Sequence, residues 1–179
     1  MESLIAEYEE RVKKDLHLYL KGENRVDERL PETLDIDGKW EEIAQAYLPD
    51  GIREFQGYPT VSLGWMMYVG MAVAQMWDED WERYSALENI YLYLRDKRGY
   101  DLMDEYIRQV VLSLSGEDFK ATEDLVAECA SRTHNLLMHG DFEPGTKEAL
   151  WAYVASLRQL FFMGAAVQLK TLGYKMTKL

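Results

Sequence analysis

YPTVSLGWMMYVGMAVAQMW, from Tyr58 to Trp77, runs twenty residues without a charge. A helix of that length could span the ~30 Å hydrocarbon layer of a bilayer. Its interior speaks against a span. Pro59, Thr60, Ser62, Gly64, Gly70 and Gln75 interrupt it, the acids Asp78, Glu79 and Asp80 follow directly, and no basic cluster flanks it. A helix that is apolar on every side is also what the middle of a helical protein requires. The next most apolar stretch, Ala149 to Leu169, contains Arg158 and Gln159 and offers no second span. The segment therefore reads as a central buried helix of about residues 59–78, with Pro59 in its first turn. Gly64 and Gly70 read as places where a packed neighbour comes close. A membrane-associated protein is the lesser alternative.

Working outward from that helix, the chain shows helical periodicity almost throughout. Leu4, Ile5, Tyr8, Val12, Leu16 and Tyr19 or Leu20 repeat at helical spacing over residues 3–21, and Glu7-Arg11, Glu9-Lys13 and Glu10-Lys14 form i,i+4 pairs on the opposite face. Residues 22–38 are polar and irregular and predict a surface connection with room for a short helical turn and for mobility. A short helix is expected from Lys39 to Leu48, with Trp40, Ile43, Ala44 and Tyr47 inward, stopped by Pro49-Asp50-Gly51.

Beyond the apolar segment a helix is expected over Trp81 to Arg95, with the acids before it complementing its dipole. Tyr84, Leu87, Tyr91 and Leu94 face inward in this reading, and Gly99 ends the connection. Asp101 caps a further helix to Ser113 with Met103, Ile107, Val110 and Leu114 as its stripe. Ser115 and Asp118 resemble a capping box. They open a helix to Met138 with Thr122, Leu125, Val126, Cys129, Thr133, Leu136 and Leu137 buried. The last helix covers Thr146 to Leu172. No period of about 20–50 residues and no strand pattern appears. The expected fold is all-α: a single domain, 1–179, forming an irregular bundle of six or seven helices around residues 59–78.

Composition narrows function mainly by exclusion. Acidic residues outnumber basic ones 32 to 20, for a net charge of -12, and no Lys/Arg run offers a footprint for nucleic acid. Cys129 is the single cysteine, so neither an internal disulfide nor a thiolate metal cluster can form. With no secretory signal in Met1 to Glu10, a cytoplasmic location is expected. His17, His134 and His139 lack chelating spacing, Glu-x-x-His is missing, and Asp35-x-Asp37-Gly38 does not match a calcium loop, so no metal is expected. Neither a nucleophile elbow nor a glycine-rich phosphate loop occurs, and no cofactor is expected.

Arg158 stands out because a helical wheel places it beside Trp151, Val154, Phe162 and Leu169. A guanidinium on an apolar face needs a carboxylate, and Asp78, Glu88 and Asp104 are the candidates by position. In the functional reading, Arg158 joins Gln75, Asp78, Tyr58, Tyr68 and Tyr91 around an aromatic pocket for a small anion. In the plain reading it is a structural ion pair whose stem snorkels to the domain edge. The leading expectation is a non-enzymatic interaction module, acting as a homodimer or as the acidic partner of a basic protein. The alternative is a binding protein or enzyme built on the Arg158 pocket.

Overall fold

A computed structural model describes residues 2–174. The described chain is all-helical. In order it forms α1 (Glu2–Gly22), α2 (Leu34–Asp37), α3 (Trp40–Gly57), α4 (Pro59–Ser85) and α5 (Ile90–Arg95). A 3-10 turn (Tyr100–Leu102), α6 (Met103–Tyr106) and a π turn (Ile107–Val111) then lead to α7 (Gly116–Met138) and α8 (Lys147–Thr171).

The apolar run does form the centre. From Ser62 to Ala74 every residue of α4 except Trp65 is buried, and α8, α7 and α3 surround it. Its main partner is α8, and glycines set how near the two helices come. A Cβ on Gly70 would lie 2.1 Å from the Phe161 carbonyl oxygen, and one on Gly164 would lie 2.2 Å from that of Met67. Gly64 plays the same part more loosely against Val126 and Ala130 of α7. By length and composition α8, and not α4, is the one described helix apolar enough to cross a membrane, and 72% of its most apolar window is buried within the fold.

Helix α1 lies along α8. Tyr8, Val12, Leu16 and Leu20 are buried, and Tyr8 shares a 2.7 Å hydrogen bond with Ser156. Burial pushes the Tyr8 phenol up to about 12, so it stays protonated as the donor or acceptor of this contact. The connection after α1 is pinned at several points: Val26 and Ile36 are buried, His17 Nε2 meets the Asp27 carbonyl at 2.9 Å, and Lys170 pairs with Asp27 at 3.1 Å.

Three helix boundaries differ from those the sequence predicts. Helix α3 passes through Pro49 to Gly57. A proline forfeits one helical hydrogen bond, and tertiary contacts just beyond it hold the helix. Asp50, 8% exposed, accepts from Tyr91 Oη at 2.8 Å and pairs with Arg95 and Arg53, each at 3.2 Å. The Gly51 carbonyl accepts from Ser62 Oγ at 2.8 Å. Asp50→Ala should therefore lower stability by about 2–3 kcal/mol, because it leaves Tyr91 and Arg53 without their carboxylate and Arg95 with Asp96 alone. Urea unfolding measures it, and a loss below about 0.5 kcal/mol would mean that α3 crosses Pro49 without this anchor.

The second difference is that α4 extends to Ser85 across a kink at Asp80, whose φ of -166 and ψ of 78 are extended. Asp80 Oδ1 accepts from the Arg83 N–H at 3.3 Å, so the acidic knot does start a helical segment, as its position before Trp81 suggests. That segment ends at Ser85. Asn89 opens α5 by accepting from Leu92 N–H at 3.1 Å, so the helix expected over Trp81 to Arg95 is in two pieces.

Third, the helix expected from Asp101 to Ser113 is a 3-10 turn, a single α turn and a π turn. The Leu112 N–H bonds the Ile107 carbonyl at 2.8 Å, five residues back. The extra residue rotates the register. Val110, expected inside, is 48% exposed, and Arg108 is buried in its stead. Ser115 precedes α7 without a side-chain cap, so the capping box is not formed, whereas Thr146 caps α8 by accepting from Ala149 N–H at 3.2 Å.

Candidate functional site

Arg158 lies at an edge of α8 with its side chain 44% exposed. Its carboxylate is Glu9, not Asp78, Glu88 or Asp104. Arg158 Nε donates to Glu9 Oε2 at 2.7 Å, its Nη2 donates to Glu9 Oε1, and Gln159 Nε2 also donates to Glu9 Oε2 at 2.6 Å. The cause is the placement of α1 along α8. Tyr8 and Val12 face inward, so Glu9, which i,i+4 spacing pairs with Lys13, sits at the seam within reach of α8.

This two-bonded pair forms one wall of a groove of about 410 Å³ between α1, the start of α3 and α8. Trp40 and Phe162 supply its apolar surface, with their ring centroids 6.5 Å apart, and Asp37 and Glu41 complete its rim. A second hollow of about 240 Å³ shares Asp37, Gln159 and Phe162 with it and is lined by Leu30, Pro31 and Glu32 of the connection. Partial desolvation of an otherwise exposed group, with Glu32 nearby, raises the Asp37 carboxyl above its ordinary range. Arg158 is the one cation lining the larger groove, and Glu9 neutralises it. The surface the groove presents is therefore acidic and aromatic.

The other residues expected beside Arg158 stand elsewhere, and none of them lines this groove. Tyr91 is buried on Asp50. Tyr68 is buried in the core against Trp65, with ring centroids 5.8 Å apart. Gln75 links two helices, accepting from Gln168 and donating to Glu79, each at 2.8 Å. Asp78 accepts from Tyr174 Oη at 2.7 Å, and Tyr58 is 67% exposed at the start of α4. The aromatic pocket for an anion is thus not assembled from these residues.

Sequence reasoning missed Arg108, the most buried cation described, at 2% exposure. It pairs with Asp104 at 3.0 Å and Glu123 at 3.1 Å, and its guanidinium carbon lies 4.0 Å from the Phe119 ring centroid and 5.5 Å from that of Tyr68. The i,i+4 spacing of Asp104 and Arg108 was the available signal, and the π turn hid its meaning.

Cys129 is buried and its thiol is pushed up to about 12 by desolvation, which removes its nucleophilic form at neutral pH. His17 and His139 bond to backbone carbonyls, and His134 packs on Phe55. No group of three or more metal-ligating side chains occurs among the described residues. Compared with known protein families, curated proteins and solved structures, the chain matches none.

Proposed function

We propose that this protein is a non-enzymatic interaction module that receives a basic segment of a partner protein in the groove between α1, α3 and α8. The observation that carries this reading is the groove's chemistry. Glu41 faces no base across the groove, Asp37 meets one only in the adjoining hollow, where Lys13 also lies, Arg158 is already held by Glu9, and Phe162 with the narrow open edge of the buried Trp40 presents surface suited to the stem of a lysine or arginine. A net charge of -12 adds long-range attraction for such a partner. A small anion is a poorer fit, since it would have to displace Glu9 from two hydrogen bonds with Arg158.

The test is binding of a fluorescent lysine- and arginine-rich peptide, followed by anisotropy. Asp37→Lys and Glu41→Lys together should weaken it about tenfold or more. Reversal of Glu117 and Asp118, at the start of α7 and outside the groove, should change it less than about twofold. Equal losses from both pairs would reduce the effect to overall charge and overturn the groove. Binding should also weaken as pH falls through the titration of Asp37, which begins above the ordinary 3.8 because its carboxyl is raised. In the free protein the sign for folding is opposite. The stability linked to Asp37 is full below about 3.8 and is lost as pH rises through its raised value.

A further inference from the structure

The two irregular stretches of helix meet at one place. Glu79 directly precedes the break in α4 at Asp80, and Val110 and Val111 belong to the π turn. All three line a cavity of about 220 Å³ whose other walls include Tyr84, Tyr93 and Tyr106. Kinks and π turns forfeit regular hydrogen bonding and often accompany binding sites. Here they surround three tyrosines and a carboxylate.

The rings form a cluster. Tyr84 and Tyr93 have centroids 6.1 Å apart at 59°, and burial with both of these neighbours raises the Tyr106 phenol above its ordinary range. Each ring already attracts a cation of this chain. The Arg83 guanidinium lies 5.0 Å from the Tyr84 centroid, Lys97 Nζ 4.2 Å from that of Tyr93, and the Arg98 guanidinium 5.6 Å from that of Tyr106. None of these three side chains lines the cavity, where Glu79 is the one charged group. Gln75 Nε2 holds Glu79 Oε1 at 2.8 Å and so orients the carboxylate.

Several electron-rich rings in the wall of one cavity, with one carboxylate, suit an ammonium whose charge is spread over methyl groups, because such a cation loses little hydration on entry. The volume is below the ~300–1,000 Å³ of pockets for drug-sized ligands, so it suits a head group or a very small molecule. We propose that the cavity between α4, α5 and the π turn binds a small methylated ammonium compound. This site is separate from the acidic groove and does not depend on it.

Calorimetric titration with choline tests the proposal, against its uncharged isostere 3,3-dimethylbutan-1-ol and a peptide carrying trimethyl-lysine. Choline should bind saturably at one site and about tenfold more tightly than the isostere. Tyr93→Leu, and independently the exposed Glu79→Gln, should each weaken choline about tenfold, and Glu79→Gln should leave the melting temperature unchanged. The Asp37→Lys, Glu41→Lys protein should bind choline as the parent does. Equal affinity for the isostere, or choline binding untouched by Glu79→Gln, would overturn the site. Tighter binding of the peptide than of choline would overturn its assignment to a small molecule.

Discussion

Alanine at Gly70 or at Gly164 will lower the stability of the fold by about 3 kcal/mol, at the upper end of the range for overpacked cores. The added methyl group at Gly70 meets the Phe161 carbonyl oxygen at 2.1 Å and the Ala165 nitrogen at 3.1 Å. At Gly164 it meets the Met67 oxygen at 2.2 Å and the Met71 nitrogen at 3.2 Å. In both cases the obstacle is main chain within a regular helix and cannot turn aside as a side chain can. The two helices must separate, and every buried contact along α4 and α8 loosens with them. One separation relieves both clashes, so the double variant should lose less than the sum of the two. Gly57→Ala, at the end of α3 with no atom near the new Cβ, is the control and should be neutral or stabilise by a few tenths of a kcal/mol. Urea unfolding followed by tryptophan fluorescence reads all four proteins. Losses below about 1 kcal/mol at both sites would show that the crossing adjusts freely.

Arg108→Ala should lower stability by about 3–5 kcal/mol, the usual consequence of removing one partner from a buried ion pair. The substitution strands Asp104 and opens a void against Phe119 and Tyr68. Lysine should not rescue it, since a single ammonium cannot reproduce a planar group that bonds Asp104 and Glu123 while stacking on Phe119. The effect should depend on pH. Burial raises the Asp104 carboxyl even with Arg108 present to lower it. A raised carboxyl contributes stability below the ordinary 3.8 and loses it as pH rises through its folded value. Without Arg108 that folded value climbs further, so the variant should be least impaired in acid and most impaired near neutrality. A pH-independent difference between the two proteins would show that the loss is one of packing alone.

The fold was legible where hydrophobic period and helix period agree. Tyr8, Val12, Leu16 and Leu20 on α1, and Thr122, Leu125, Val126, Cys129 and Thr133 on α7, repeat every three or four residues and are buried as expected. The uncharged run of α4 is central from Ser62 to Ala74 because α8 and α7 cover sides that no single wheel could assign. Boundaries failed where distant groups overrule local signals. Pro49-Asp50-Gly51 is a turn by composition, yet Tyr91, Arg95 and Ser62, all remote in sequence, hold it as helix.

The candidate site was half legible for a related reason. Arg158 was found because a cation on an apolar wheel is anomalous, and it does line the groove. Its partner could not be read, because Glu9 lies 149 residues away and only the packing of α1 on α8 joins them. The tyrosine cavity left less trace still. It exists because one helix breaks at Asp80 and another gains a residue at the π turn, and both events shift the phase on which a wheel depends.

The pairing of α4 with α8 also bears on how the chain is born. The glycines that interlock, Gly70 and Gly164, are roughly a hundred positions apart, and ribosomes add ~5–20 residues per second. For about 5–20 s the apolar centre of α4 must wait for its partner to emerge, a delay during which association with other nascent chains competes with folding. Slower translation past residue 85 should therefore raise the aggregated fraction in cell-free synthesis, and a general chaperone should lower it.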